Sequence, residues 1–320
     1  MSAPFTGGFP GFGLNWTDED EGLAMSTTPR RVEHQQTDRG YIPVYTTETV
    51  EQPWADYTRS EHEVWATLFR RQREVLKGRA CNEFLENQER FGMTPDAIPK
   101  FQDLNKVLKA GTDWEIVGVE GLLPDEIFFD HLANRRFPVT WWIRKPEQLD
   151  YLSEPDLLHD LFGHVPMLLN PVFADYVQAY GRGGVKAYKL GADALMNLTR
   201  LYWYTVEFGL IDTPEGVRIY GSGIVSSKGE SIHCLESDSP NRIGFDLERI
   251  MRTQYKIDTY QQTYFVIDSF QQLMDATKPD FTPIYARLKD QPAFPAGEVQ
   301  SSDRVIHRGT GEGWVKGDGV

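Results

Sequence analysis

The chain has 320 residues, a formal net charge of −14 and a pI near 5.0, a balance that argues against polyanionic partners such as nucleic acid or an anionic membrane surface. Its 40% hydrophobic content is enough for a sizeable core in one large domain or two. Only Cys81 and Cys234 are present, and no apolar run approaches the length of a membrane span or a secretory leader. A soluble protein of the reducing cytoplasm is therefore expected.

Residues 1 to 35 show no periodicity and are expected to be disordered. Residues 36 to 57, with Tyr41, Pro43, Tyr45, Pro53, Trp54 and Tyr57, suggest an extended arm that docks aromatic rings on the main body. Ser60-Glu61-His62-Glu63 reads as a capping box, followed by the apolar stripe Val64, Trp65, Leu68, Phe69, Val75 and Leu76 up to Gly78. Cys81, Phe84 and Leu85 begin a second helix closed by Gly92; Phe101, Leu104, Val107 and Leu108 make a third, stopped at Gly111. Trp114 to Val119 reads as a strand, 125 to 136 as a helix, and 137 to 144 as a short strand.

The next stretch, Glu154 to Pro166, holds the densest chemistry. Pro155 suits a first helical turn, Glu154 and Asp156 suit its positive end, and Leu157, Leu158, Leu161 and Phe162 recur at helical spacing. His159 and His164 interrupt that run. Five residues apart on a regular helix, their side chains diverge by roughly 140°, so they share a ligand only if the helix ends between them. Gly163 permits such an end, and Pro166 biases Val165 away from helical angles.

Pro171 opens a helix broken at 181 to 184, and 192 to 208 is a long helix in whose last turns Glu207 is the sole charge. A buried, unpartnered carboxylate is costly, so Glu207 is expected to be neutral, paired or bound to metal. Two histidines and one carboxylate with open positions form the facial triad of non-haem Fe(II) oxygenases. The alternative is a pair of satisfied core histidines, and a His2Glu set also binds zinc, although the His-x-x-x-His pair with an intervening glutamate of common zinc peptidases is absent.

Residues 217 to 225 and 231 to 235 suggest a hairpin or edge strands, 246 to 253 a helix, 263 to 267 a strand, and 269 to 277 and 283 to 289 closing helices. From Gln291 the chain turns Pro/Gly/Ser-rich and is expected to fray. The reading is a mainly α domain with small β elements (α+β), divided as 1–35 disordered, 36–57 arm, 58–290 catalytic and 291–320 flexible tail.

The segments Pro155–Pro166, Trp203–Gly209 and Tyr220-Gly221-Ser222-Gly223-Ile224-Val225-Ser226-Ser227 resemble the pterin-dependent aromatic amino acid hydroxylases. The likeness runs from about Thr58 to Lys289 and is strongest to bacterial members that turn phenylalanine into tyrosine. It implies one catalytic domain, Fe(II), a tetrahydropterin and O2 as co-substrate. By the same resemblance, His159, His164 and Glu207 hold the iron. Gly121, Leu122 and Leu123 form the pterin turn, Phe128 stacks on the pterin, and Asp160 faces it through water. Asp125 stands where animal enzymes carry serine. Arg144 takes the substrate carboxylate, Pro155, Trp203 and Ser226 line the substrate side, and Tyr202 lies near the iron. The partner is thus a small aromatic amino acid. With fewer than 60 residues ahead of the first cap and no apolar heptads in the tail, a monomer without a regulatory domain is expected. A tryptophan or tyrosine hydroxylase, a zinc hydrolase and a non-catalytic binding module are the competing readings.

Overall fold

The computed structural model describes residues 35–37, 40–42, 49–150, 152, 154–257 and 259–312. The N-terminal stretch expected to be disordered lies outside them except for Gln35, and so do Pro43 and Tyr45. Gln35–Thr37 (β1) and Gly40–Ile42 (β2) pair antiparallel. Further on, the Trp54 indole donates to the Ile98 carbonyl at 2.7 Å, and Tyr57 donates its hydroxyl to the Trp141 carbonyl.

Helix α1 (Arg59–Val75) starts two residues earlier than a Ser60 cap would place it. Thr58 is the N-cap, and it is Thr58 and Glu61 that exchange hydrogen bonds as the capping box. Helices α2 (Asn82–Phe91) and α3 (Phe101–Thr112) follow; α2 ends on left-handed Gly92, while α3 runs past Gly111 to left-handed Asp113. Strands β3 (Glu115–Val119) and β4 (Arg136–Thr140) pair in parallel, joined by α4 (Asp125–Ala133). This single crossover unit carries the Gly121-Leu122-Leu123 turn at the end of its first strand.

Helix α5 spans Pro171–Leu190 without a break, contrary to the reading of 181 to 184 as a breaker. The glycines there serve close approach. A Cβ on Gly181 would lie 2.4 Å from the Ala133 backbone nitrogen, and one on Gly184 would lie 2.0 Å from the Phe129 ring. Bare backbone at these points lets α5 press directly on α4, whose Phe128 lines the site.

Helix α6 (Ala192–Tyr202) leads toward Glu207. Residues 217 to 235 then differ from the expected strands. Leu210–Thr213 (β5) and Gly216–Ile219 (β6) make a hairpin, whereas Ser222–Ser226 (α7) and Lys228–Glu236 (α8) are helical, α8 being capped by the Ser227 hydroxyl. Asn241–Gly244 (β7), Leu247–Met251 (α9), Thr263–Ile267 (β8), Phe270–Thr277 (α10) and Thr282–Leu288 (α11) complete the body.

Over its described length the tail carries a short strand and single-residue contacts to the body. Val305–His307 (β9) adds antiparallel to β7, giving a mixed sheet in the order β6-β5-β8-β7-β9. Asp303 pairs with buried Arg249 at 2.9 Å, and the Arg249 guanidinium lies 4.7 Å from the Phe294 ring centre. The composition of the tail hid this because its anchors are single residues rather than a periodic pattern. Helices predominate around one continuous core that contains Trp65, Phe84, Trp114, Phe129, Phe162, Tyr176 and Tyr264.

Candidate metal centre

The two histidines come together by a route the periodicity argument did not foresee. The helix does not stop between them. From His159 to His164 it widens into a π-helical turn, and the Val165 N–H donates to the Asp160 carbonyl five residues back. In i→i+5 winding, residues five apart sit nearly one above the other. His159 Nε2 and His164 Nε2 therefore lie 3.0 Å apart, their rings 4.8 Å apart and nearly perpendicular. Gly163 is no stop; its missing side chain leaves room for Ser222. Pro166 sits in the first turn of a 3-10 segment, Val165–Leu169, and Val165 keeps helical angles. Asp156 caps the start of the turn by accepting from His159 N–H at 3.1 Å.

A second π-turn, Trp203–Glu207, follows α6 and is closed by Phe208 N–H to the Trp203 carbonyl at 2.8 Å. It aims Glu207 inward: Oε1 is 3.1 Å from His164 Nε2, and Oε2 is 3.7 Å from His159 Nε2. Cis ligands held about 2.1 Å from one metal ion are about 3.0 Å apart. The three donors fit a single cation on that measure.

Tautomer and charge agree with this. The Ser226 hydroxyl donates to the Ser222 carbonyl at 2.7 Å, so the 2.9 Å contact between His159 Nδ1 and Ser226 Oγ has the histidine as donor. Nε2 then carries the lone pair, the arrangement a metal-binding imidazole needs. Burial lowers the His159 pKa to about 4, keeping it neutral. Burial alone would raise the Glu207 carboxyl, but His164 beside it and the Ser222 hydrogen bond outweigh it and hold the group below its usual range.

Asp160 belongs to the same cluster, its oxygen within 4.8 Å of both histidine donors, and a His159-Asp160-His164 set is geometrically possible. Glu207 is the alternative third donor, with Oε1 3.1 Å from His164 Nε2. Asp160 Oδ2 is already committed to the Thr140 N–H at 2.7 Å, and burial pushes its carboxyl up to about 7. A carboxyl whose charged form burial disfavours and whose oxygen is already engaged binds a cation less well than one held below its usual range.

These donors lie on one side of a cleft. Of the residues singled out from sequence, Gly121, Leu122, Leu123, Phe128, Pro155, Asp160 and Tyr202 join His159, His164 and Glu207 in its wall. Arg144, Trp203 and Ser226 stand behind that wall. Arg144 is 4% exposed and grips Asp156 with Nε at 2.9 Å and Nη2 at 3.0 Å. Trp203 stacks on Tyr255 at 4.4 Å and donates to the Gln261 side chain at 2.8 Å; Ser226 supports His159. Asp125 is buried with one oxygen unpartnered, and burial raises its pKa to about 6.

Sequence reasoning missed Thr140, Ser222 and Phe137, whose ring packs 4.8 Å from that of His164. It gave Asp156 only a dipole role. A capping position three residues before His159 was the one available signal for Asp156. Nothing local marks the other three.

The model of the family described as biopterin-dependent aromatic amino acid hydroxylase matches residues 34–287. The phenylalanine-4-hydroxylase of Ralstonia nicotianae is 62% identical over 83% of this chain and 85% of the relative. That of Chromobacterium violaceum is 61% identical over 85% of this chain and 91% of the relative. The C. violaceum enzyme solved with bound oxidised Fe(III) superposes with a TM-score of 0.79 at 62% identity, covering 81% of this chain and 94% of that one. The cobalt-bound form gives 0.79 at 63% identity, covering 81% and 92%. A family match across most of the chain, with the three donors converging in one cleft, places it: the chain belongs to the biopterin-dependent aromatic amino acid hydroxylases.

Proposed function

We propose that the chain is a phenylalanine 4-monooxygenase, converting L-phenylalanine to L-tyrosine with O2 and a tetrahydropterin at a non-haem Fe(II). The observation that carries this reading is the convergence of His159 Nε2, His164 Nε2 and Glu207 Oε1, 3.0 and 3.1 Å apart in sequence of contact, in a cleft also walled by Gly121, Leu122, Leu123 and Phe128. Identity above 60% to two phenylalanine-4-hydroxylases supports the substrate. When bound, iron and reduced pterin together supply the activated oxygen that a ring carbon accepts.

The chain's own residues do the rest. Ser226 fixes the His159 tautomer, and a set of two imidazoles and one carboxylate leaves coordination positions open on the cleft side. Phe128 and the Gly121–Leu123 turn offer an apolar wall for a flat heterocycle, with Asp160 as its polar neighbour. Asp156 occupies Nε and Nη2 of Arg144, and further guanidinium N–H groups are left for a substrate carboxylate. Phe137 and Tyr202 exclude water around His164.

A cytoplasmic monomer that feeds phenylalanine breakdown and tyrosine supply completes the proposal. Among the described residues no helix is long and apolar enough to cross a membrane. The test is product analysis after incubation with Fe(II), tetrahydropterin, O2 and each aromatic amino acid in turn. Para-tyrosine from phenylalanine is expected. A higher kcat/KM for tryptophan, or meta-tyrosine as product, would overturn the substrate or the regiochemistry, and activity with Zn(II) but not Fe(II) would overturn the metal.

A further inference from the structure

The two oxygens of Glu207 keep different company. Oε1 faces His164 Nε2 at 3.1 Å, whereas Oε2 receives the Ser222 hydroxyl at 2.9 Å. Ser222 Oγ also lies 3.1 Å from the Val206 carbonyl. A hydroxyl has one proton to give. Were it given to Val206, lone pairs on Ser222 Oγ and Glu207 Oε2 would oppose each other at 2.9 Å. The ionised carboxylate is the stronger acceptor and takes it. Ser222 is 2% exposed, so water does not compete for the bond.

Ser222 is also held firmly. It opens α7, and the Ser226 hydroxyl donates to its carbonyl at 2.7 Å. Against the first π-turn, a Cβ on Gly163 would sit only 3.0 Å from the Ser222 carbonyl oxygen and 3.2 Å from its Cβ. With glycine there, α7 seats directly on the turn that bears both histidines. One short helix thus touches His159 through Ser226 and Glu207 through Ser222.

We propose that Ser222 is a positioning residue that reserves Oε2 of Glu207, so that the carboxylate meets the metal through Oε1 alone and one more coordination position stays open toward the cleft. Carboxylates bind cations through one oxygen or two, and the choice follows from what else each oxygen is offered. Without the hydroxyl, Oε2 is free to close on the metal and fill that position. The inference rests on the iron-centre reading above.

Co(II) is the probe, since its visible absorption weakens as its coordination number rises. The Co(II)-loaded Ser222→Ala variant is expected to lose visible absorption relative to the wild type. Its Fe(II) form is expected to lose kcat by about tenfold or more, the scale of an outer-shell loss, with KM for phenylalanine held. A wild-type-like Co(II) spectrum in Ser222→Ala overturns the proposal. A second measurement needs no variant at this position: difference infrared spectra of Co(II)-loaded, 13C-glutamate-labelled wild type, assigned against Glu207→Gln. Widely separated carboxylate stretches are expected for one-oxygen binding, and closely spaced stretches overturn it. A wild type that binds no Co(II) overturns the iron-centre reading along with this one, whereas full binding with an unchanged variant spectrum overturns this one alone.

Discussion

At the scale of single residues, the site is built from side chains whose second contacts matter as much as their first. Arg144 is the clearest case. It is bound through two nitrogens to Asp156, a fully buried carboxylate that also caps the turn bearing His159. Arg144→Lys keeps the charge and loses the fork, and hydrogen bonds to charged groups are worth about 1.5–3 kcal/mol each. Two losses are expected together: KM for phenylalanine rises about tenfold or more, and the melting temperature falls because Asp156 is left half satisfied. Steady-state kinetics beside calorimetry check this. A variant with lowered stability and an unchanged KM would make Arg144 structural only.

At the scale of elements, glycine placement in α5 yields a neighbouring pair of opposite predictions. A Cβ on Gly184 would fall inside the Phe129 ring's contact distance, at 2.0 Å, while one on Gly183 would meet nothing within 4 Å. Gly184→Ala should destabilise the protein by about 1–3 kcal/mol through overpacking. Gly183→Ala should stabilise it by about 0.5–1 kcal/mol, since alanine loses less backbone freedom in a helix. Urea midpoints of the two variants decide. The first turn of α4 offers a pH test. Asp125 has a folded pKa raised by burial to about 6, above its ordinary 3.8. The folded state then holds more protons than the unfolded one between those values. The stability this contributes is present below the unfolded pKa and lost as pH rises through about 6. Asp125→Asn should therefore gain on the wild type as pH rises from 4 to 7, by about 3 kcal/mol at most, at roughly 1.4 kcal/mol per unit. The helix N-terminus, which favours the charged form, trims that figure. Equal pH slopes for the two proteins would remove the burial argument.

At the scale of the whole molecule, the mixed sheet ties the C-terminal segment to the catalytic body. Asp303 and Arg249 are 3% and 6% exposed, and Arg249 reaches no other carboxylate among the contacts of the described residues. Removing one partner of a buried pair costs about 3–5 kcal/mol, so Asp303→Ala should lower stability on that scale. Denaturant unfolding checks it, and an unchanged midpoint would restore the picture of a loose tail. Loss of metal binding in the same variant is not expected, because β9 lies on the sheet and the donors come from the two π-turns.

By itself the sequence determined which residues could bind a metal, where the amphipathic helices run and, through the family resemblance, where a pterin would lie. These are local quantities: two histidines in one apolar run, a lone glutamate in another, a Gly-Leu-Leu turn after a strand. The tertiary structure decided how the donors meet. A π-turn and a stopped helix satisfy the same five-residue spacing; the chain takes the first, with Gly163 of that turn seated against Ser222. It also decided that Arg144 pairs with Asp156, that 181 to 184 continue a helix, and that residues 305–307 of the tail form a strand. In each case the deciding partner is remote in the chain or lies off the helical and strand periodicities, and periodicity carries no information about such partners.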